Sequence, residues 1–322
     1  IEMYIQPKQV RIRQTKMKNF WYHTMALITV IIWGTTFVST KILLQQGLSP
    51  TEILLYRFIL AYVSIWFFCP RKIWADTKRD ELLLLASGVC GGSLYFIAEN
   101  TALQYTLASN VSLILCTTPI LTAFVSRVWG DKQKLRSRLY YGSLVALIGV
   151  ALVVFNGNFI LKLSPAGDLL TIAAALMWAF YGTILKKLDS KYGVLFITRK
   201  IFFYGIVTML PVFAFDPSQL HVTTITDPIV LSNLVFLGLI ASMLCYIMWN
   251  LTVKQLGVVR TTNYIYIIPL ITLVTSAMVI DEIITPVALA GSVFILFGVY
   301  FAEQGGDLQK QLASIRRRKQ RL

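Results

Sequence analysis

The sequence predicts an all-α integral membrane protein with ten transmembrane helices, arranged as two inverted five-helix repeats with both termini on the cytoplasmic side. Three observations support this fold class. The chain contains ten apolar segments of membrane-crossing length, its halves resemble each other at a distance of about 150 residues, and its positive charge is concentrated in alternate connections. Together they indicate both the number of helices and their orientation.

The ten spans follow from composition and segment length. Hydrophobic residues make up 56% of the 322 residues, which is more than a soluble core of this size can bury. A helix needs roughly 20 mostly apolar residues to cross a hydrocarbon layer about 30 Å thick. The predicted limits are 21–43, 51–69, 82–103, 107–128, 139–156, 166–186, 193–214, 229–251, 258–280 and 285–303. The connections are short, so functional residues are expected within the spans or at their ends.

The first five spans have counterparts, in the same order, in the second five. An offset of 145 relates the first span to the sixth, and 142 relates the second to the seventh: Trp33 to Trp178, Lys41 to Lys186, and Arg57 to Arg199. An offset of 150 relates the third and fourth spans to the eighth and ninth: Gly88 to Gly238, Asn100 to Asn250, Pro119 to Pro269, and Asp131 to Asp281. An offset of 149 relates the fifth to the tenth: Gly142 to Gly291 and Gly149 to Gly298. Shared order with a slowly drifting offset indicates a diverged duplication.

Charge gives each repeat a direction. Five spans is an odd number, so the second copy must face the opposite way. Most of the 30 Lys and Arg residues fall in the tails and connections that are cytoplasmic if the amino terminus is inside. We therefore expect a basic cytoplasmic tail at 1–20, repeat 1 at 21–157, repeat 2 at 158–306 and a second basic tail at 307–322. The basic tails are interpreted as topology determinants that touch anionic lipid, which excludes nucleic acid as a partner.

Catalysis is not supported by the sequence. The two histidines, His23 and His221, lie at a membrane boundary and in an outer loop, so they cannot form a metal cluster or a proton relay in mid-membrane. No nucleophile elbow, metalloprotease motif or phosphate-binding loop is present. We therefore expect no enzyme activity, cofactor, metal or direct use of ATP. The four cysteines fall within spans or at their edges, so no disulfide framework is expected.

Polar and aromatic residues inside the spans are the candidates for substrate binding, because unpaired polar groups are costly in a bilayer. Aromatic walls with a few amide groups suit a small amphipathic solute better than a bare ion. The candidates are Trp33, Thr36, Tyr95, Glu99, Asn100, Asn110, Trp178, Tyr181, Tyr246, Asn250, Asn263 and Tyr264.

Several of these residues allow two interpretations. Glu99 either binds a substrate ammonium group or carries a coupling proton, or it is solvated or paired with Arg57. Arg57 and Arg199 either act as gates or carboxylate ligands, or they extend to the nearer interface. Trp33 and Trp178 lie in the middle of their spans, where tryptophan is unusual, and they form either a binding wall or a packing contact.

Pro119 and Pro269 interrupt the fourth and ninth spans at matching positions. A proline inside a helix removes a backbone hydrogen bond and kinks or breaks the helix. A static kink is one interpretation. Paired interruptions in corresponding spans also predict a transporter site, so both prolines are candidate hinges.

The chain resembles the EamA type of the drug/metabolite transporter superfamily over nearly all of residues 20–305. The resemblance lies in Ile32-Trp33-Gly34-Thr35-Thr36-Phe37, in the run from Ser109 to Pro119, and in Asp281-Glu282 followed by Gly291 and Gly298-Val299. The family pattern has an acidic residue nine positions before the glycine. In the first half the residue nine positions before Gly142 is Gln133, which is not acidic. A role for the family's acidic residue is therefore carried over only to Glu282, nine positions before Gly291, where helix capping is the simpler function.

The resemblance implies ten helices, a central cavity and alternating access. We expect a bacterial inner-membrane secondary transporter that exports a small organic solute, an amino acid or related metabolite, with protons as a candidate coupling ion. An importer or exchanger of phosphorylated sugars or nucleotide-linked solutes is the alternative within transport, and it would require Arg57, Arg199 and Lys200 to face the cavity. A channel or lipid scramblase is the alternative from another class.

Overall fold

The architecture is that of a helical bundle, seen in a computed structural model that describes residues 7–69, 73–105, 108–129, 137–155, 164–215, 225–280 and 285–304. Within these ranges the regular structure is helical throughout, in ten segments that match the ten predicted spans in order. Asp131, Gln133, Asp281 and Glu282 lie outside the described residues, as does the carboxyl-terminal tail.

The first half contains five helical segments. They are α1 (Pro7–Gln45), α2 (Pro50–Trp66), α3 (Lys78–Tyr105), α4 in two pieces (Ala108–Leu115 and Thr118–Trp129) and α5 (Ser137–Phe155). α1 begins at Pro7, so part of the predicted tail at 1–20 is helical. α2 begins at a capping box in which Ser49 and Glu52 satisfy each other's backbone N–H groups.

The second half repeats this arrangement. Its segments are α6 (Pro165–Leu188), α7 (Val194–Phe215), α8 (Pro228–Leu256), α9 in three pieces (Val258–Thr262, Asn263–Ile267 and Ile268–Ile280) and α10 (Pro286–Gln304). The middle piece of α9 is a 3₁₀ helix. Pro165 and Pro228 occupy the first turns of α6 and α8, where a missing N–H costs nothing.

Six parts of the described chain are long and apolar enough to cross a membrane. They are Phe20–Gln45, Lys78–Tyr105, Pro165–Leu188, Val194–Ala214, Pro228–Leu256 and Val258–Thr275. Two shorter apolar stretches lie in α5 and α10, at Tyr140–Leu152 and Leu289–Ala302. Many large apolar side chains on the outside of the bundle are exposed, as expected where lipid is the solvent.

The third segment of each half crosses the second segment of the other half at a glycine. A Cβ at Gly88 of α3 would lie 2.5 Å from the Tyr204 side chain of α7, and a Cβ at Gly238 of α8 would lie 2.7 Å from Leu60 of α2. Each glycine borders or lies in a π-helical stretch, at Val89–Ser93 in α3 and Phe236–Leu244 in α8. The two halves therefore interlock through matching contacts.

The fifth and tenth segments pack directly on each other through glycines. A Cβ at Gly149 would lie 2.6 Å from the carbonyl oxygen of Gly291, and a Cβ at Gly298 would lie 2.4 Å from the backbone nitrogen of Ala146. Small residues let two membrane helices approach closely enough for their backbones to touch. The repeat-related glycines of the sequence therefore mark the α5–α10 contact.

Candidate functional site

A partly open cavity lies near the end of the bundle where α1 and α3 end and α2 and α4 begin. Its walls come from α1, α2, α3, α4, α6 and α9. Seven predicted site residues line it: Trp33, Thr36, Arg57, Tyr95, Glu99, Asn100 and Trp178. The structure therefore brings together one acid, one base and three aromatic side chains that are distant in sequence.

Aromatic side chains form one wall of the cavity. The rings of Trp33 and Trp178 meet edge to face with centroids 5.3 Å apart, and Trp33 lies 4.9 Å from Trp249. The indole N–H of Trp33 donates to the carbonyl oxygen of Ala241 at 2.9 Å, which fixes the orientation of its ring. The ring centroid of Tyr95 lies 4.9 Å from that of Trp178, and all three aromatic side chains line the cavity.

Glu99 is the acidic residue among the described cavity-lining residues. Its side chain is 8% exposed, and its Oε1 accepts a hydrogen bond of 3.2 Å from the hydroxyl of Tyr95, one turn earlier on α3. The ion pairs of the described chain do not include Glu99 with Arg57. The burial of Glu99 does not fit the interpretation of a solvated carboxylate, whereas Arg57 lines the same cavity.

Arg57 is the basic residue among the described cavity-lining residues, and it is 3% exposed. Its Nε donates to the Ser242 hydroxyl of α8 at 2.9 Å, and its guanidinium lies 4.4 Å from the centroid of the Phe96 ring. Both contacts orient the planar guanidinium group at the cavity wall. The alternative interpretation required the Arg57 side chain to extend to the nearer membrane interface. In the structure the side chain is buried inside the bundle instead.

Arg199, the repeat counterpart of Arg57, lies elsewhere. Its guanidinium donates to the carbonyl oxygen of Cys69 and stacks 4.7 Å from the ring of Trp66. It therefore holds the end of α2 instead of lining the cavity, although it is as deeply buried as Arg57.

Five predicted site residues with described side chains do not line the cavity: Tyr181, Tyr246, Asn250, Asn263 and Tyr264. The first three stabilise the core. Tyr181 donates to Asn250 at 2.7 Å, Asn250 donates to Thr198 at 2.9 Å, and Tyr246 donates to the carbonyl oxygen of Gly91 at 2.5 Å. Tyr264 bonds to His23 at 2.6 Å. These four residues, Tyr181, Tyr246, Asn250 and Tyr264, connect helices by hydrogen bonds. The sequence pattern alone did not distinguish such residues from those that line the cavity.

Asn263 and Asn110 need separate mention. Asn263 is buried, and neither atom of its amide has a hydrogen-bond partner among the described residues. Asn110 belongs to the first piece of α4, and its side chain lies outside the part of the chain that the structure describes.

Sequence reasoning missed several lining residues. They are Phe37, Thr40, Phe96, Leu103, Ser112, Leu115, Cys116, Thr118, Ile265 and Ile268. Phe37 and Thr40 follow Trp33 by four and seven positions, so extending the helical stripe would have found them. The residues of α4 and α9 carry no such signal, because their positions depend on where each helix is interrupted.

The two candidate hinge prolines lie beside the cavity. Pro119 follows a turn at Cys116 and Thr117, where α4 divides into its two pieces, and Pro269 follows the 3₁₀ piece of α9. The thiol of Cys116 approaches the carbonyl oxygen of Ile265 at 3.9 Å, so the two interruptions touch. Within the described residues no group of His, Cys, Asp and Glu side chains is arranged to hold a metal ion.

Comparison with known proteins gives a family match over most of the chain. The model of the EamA-like transporter family matches residues 20–155 and again 165–303. An "Uncharacterized transporter" of Archaeoglobus fulgidus is 26% identical over 86% of this chain and 96% of its own length.

Two relatives have more specific names. The "Probable terminal-alkyne amino-acid exporter" of Streptantibioticus cattleyicolor is 24% identical over 85% of this chain and 90% of its own. The "Probable amino-acid metabolite efflux pump" of Escherichia coli is 22% identical over 86% and 92%. A solved structure titled "Crystal structure of protein" has a TM-score of 0.68 at 14% identity, covers 89% of this chain and 98% of its own, and shows the same fold.

Proposed function

Because the chain belongs to the EamA-like transporter family, we propose that it exports an amino acid or a related small organic metabolite as a secondary transporter, by alternating access. Membership makes it a multi-pass membrane protein of a transporter family and not an enzyme. The solute, the direction and the mechanism are the proposal.

The placement of Arg57 and Glu99 in one aromatic cavity carries the proposal. A zwitterion offers a carboxylate, which suits the planar guanidinium of Arg57, and an ammonium group, which suits the carboxylate of Glu99. Trp33 and Trp178 would contact the solute's side chain. The names of two relatives support an amino-acid solute.

The orientation and repeat boundaries belong to the same proposal. Repeat 1 at 21–157 and repeat 2 at 158–306 would lie inverted in a bacterial inner membrane, with both termini in the cytoplasm. The positive-inside distribution supports this orientation, and the interlocked glycine contacts at Gly88 and Gly238 support inversion. In that orientation the cavity lies in the outer half of the bundle.

Proton coupling would act through Glu99. A carboxyl group inside a membrane protein can exchange a proton for a substrate ammonium group at the same oxygen atoms. Inward movement of a proton would then drive outward movement of the solute. Glu99→Gln should abolish the pH dependence of transport while solute binding survives.

The proposal is tested by transport of radiolabelled amino acids into vesicles containing the purified protein. Trp33→Ala and Trp178→Ala should each lower the initial rate about tenfold or more, because each removes a direct contact to the solute. Glu99→Gln should lower the rate to a similar extent, because the proton exchange is lost although the solute still binds. Trp21→Ala is the control, since that tryptophan is exposed outside the cavity. Unchanged rates in all three cavity variants would contradict the proposed site.

The two alternatives are less well supported. A carrier of phosphorylated sugars needs several cations at the cavity, and Arg57 alone among the described Lys and Arg residues lines it. Saturable uptake that is stimulated by solute on the opposite side of the membrane would exclude a channel or scramblase. Stimulation by phosphate esters instead of amino acids would favour the first alternative.

A further inference from the structure

A second polar cluster lies at the end of the bundle remote from the cavity, where α3 begins. Asp80, in the first turn of α3, accepts hydrogen bonds of 3.0 and 3.1 Å from the ammonium group of Lys191 and one of 3.0 Å from the hydroxyl of Tyr192. Both partners belong to the corner between α6 and α7. The Asp80 side chain is 4% exposed, so its negative charge is stabilised by these partners and not by water.

Glu81, the next residue, makes a parallel set of contacts. Its Oε1 accepts from the ammonium group of Lys200 and from the hydroxyl of Tyr204, both on α7, and its Oε2 accepts from the backbone N–H of Ala75 at 2.7 Å. Lys200 is 4% exposed and lies 4.5 Å from the ring centroid of Trp74. The pair is thus largely excluded from solvent, where a charge-assisted hydrogen bond is stronger.

These six residues, Asp80, Glu81, Lys191, Tyr192, Lys200 and Tyr204, are called the ionic latch below. Its acids belong to the first half of the chain and its other members to the second half. Along α3 the latch lies 18 positions from Glu99, which corresponds to about 27 Å at 1.5 Å per residue.

The repeat-related contact at the other end of the bundle has a different chemistry. The offset of 150 that relates Gly88 to Gly238 relates Asp80 and Glu81 to Val230 and Leu231. Val230 belongs to an apolar cluster in which the start of α8 packs on the corner between α1 and α2: Leu43, Leu48, Ile53, Val230, Leu234, Leu237 and Ala241. The fold therefore makes the same contact twice, with ion pairs at one end and hydrocarbon at the other.

We propose that the ionic latch closes the transport pathway at the end of the bundle remote from the cavity. The apolar cluster is the corresponding closure at the cavity end. The proposal rests on the alternating access proposed above. Opening at the latch end then requires the ion pairs to separate and become hydrated, so it depends on charge and salt. Separating the apolar cluster at the other end exposes hydrocarbon and no ion pair, so opening there should respond much less to salt.

The experiment measures access to a buried reporter at each end, without any solute. Val253, four positions beyond Trp249 on α8, is buried next to Lys254, which donates to carbonyl oxygens of the α6–α7 corner. In a background with the four cysteines replaced by alanine, Val253→Cys reports on the latch end and Leu234→Cys on the apolar end. The readout is the rate of labelling by a membrane-impermeant maleimide in detergent.

Asp80→Asn combined with Glu81→Gln should raise the labelling rate at Val253→Cys about tenfold or more. The reason is that loss of charge-assisted hydrogen bonds increases the population of the state that is open at the latch end by about this factor. Labelling at Leu234→Cys should not rise. Exchanging the charges by Glu81→Lys with Lys200→Glu should give slower labelling than Glu81→Lys alone, because the exchanged pair again carries opposite charges. High salt should speed labelling at the first reporter alone.

Glu52→Gln is the matched control, because Glu52 is a buried carboxylate that caps α2 at the opposite end. It should leave labelling at Val253→Cys unchanged. If the double variant does not fold, Tyr204→Phe removes one hydrogen bond without stranding a charge and should produce a smaller increase at the same reporter. No increase at Val253→Cys, or equal increases at both reporters, would overturn the proposal, and neither result depends on which solute is transported.

Discussion

Arg57 and Arg199 occupy repeat-related positions but have different surroundings. Both guanidinium groups are buried against aromatic rings, Arg57 on Phe96 and Arg199 on Trp66. Arg57 bonds a serine hydroxyl and faces the cavity, whereas Arg199 bonds the backbone of Cys69. The two repeats therefore carry similar buried cations at related positions. Arg57 lines the cavity, whereas Arg199 holds the end of α2.

Arg57→Lys should weaken binding of a carboxylate-bearing solute about tenfold or more. An ammonium group retains the charge but loses the planar, two-pronged geometry and the Nε bond to Ser242. Calorimetric titration of the purified protein with amino acids would measure the effect.

Arg199→Lys serves as its control, since the same chemical change occurs away from the cavity. It should lower the unfolding temperature and leave solute affinity near that of the unchanged protein. Equal losses of affinity in the two variants would contradict the assignment of Arg57 to the solute.

Side-chain positions could be predicted from the sequence only where periodicity and the repeat agree. The offset of 145 identified Trp33 and Trp178 as repeat-related residues in the middle of their spans, and in the structure their rings are in contact. The same reasoning placed Tyr181 and Asn250 in the cavity, but they bond each other in the core. Hydrogen-bond partners from separate helices depend on how those helices are rotated, which no single-helix pattern encodes.

Interrupted helices are the elements that shape the cavity. α4 breaks before Pro119 and α9 tightens into a 3₁₀ piece before Pro269, and residues at both interruptions line the cavity. The prolines made these interruptions visible in the sequence. The π-helical stretches of α3 and α8 could not be recognised in the sequence, because they contain no proline; they lie at the glycine contacts with α7 and α2.

Pro119→Ala and Pro269→Ala should each slow transport severalfold with little change in solute affinity, if the interruptions are hinges. Alanine restores a backbone N–H and lets the helix continue, which removes the weak point where the helix bends. Transport rates and binding constants measured on the same preparation would separate the two effects.

Pro211→Ala is the matched control, because Pro211 lies inside α7, away from the cavity. It should leave the transport rate near that of the unchanged protein. A similar slowing in all three variants would indicate a general effect of proline on packing instead of a hinge.

The molecule as a whole is held together by contacts that recur between its halves. α3 crosses α7 as α8 crosses α2, and α5 packs on α10 through backbone contacts at Gly149 and Gly298. Hydropathy predicted the ten helices, and the repeat predicted which residues would correspond. Which helices touch could not be predicted, because it follows from close approaches that only the folded chain reveals.

The inversion of the two halves has a direct test at two corresponding corners. Gln46 lies in the exposed corner between α1 and α2, and Gly193 lies in the exposed corner between α6 and α7, where a Cβ meets open space. In an inverted repeat these corners lie on opposite sides of the membrane, and the positive-inside rule places Gly193 in the cytoplasm. In the cysteine-free background, impermeant maleimide added to intact cells should label Gln46→Cys and not Gly193→Cys, and inside-out vesicles should reverse the pattern. Labelling of both corners from one side would mean that the halves are parallel, and the two closures would then no longer lie at opposite ends of one pathway.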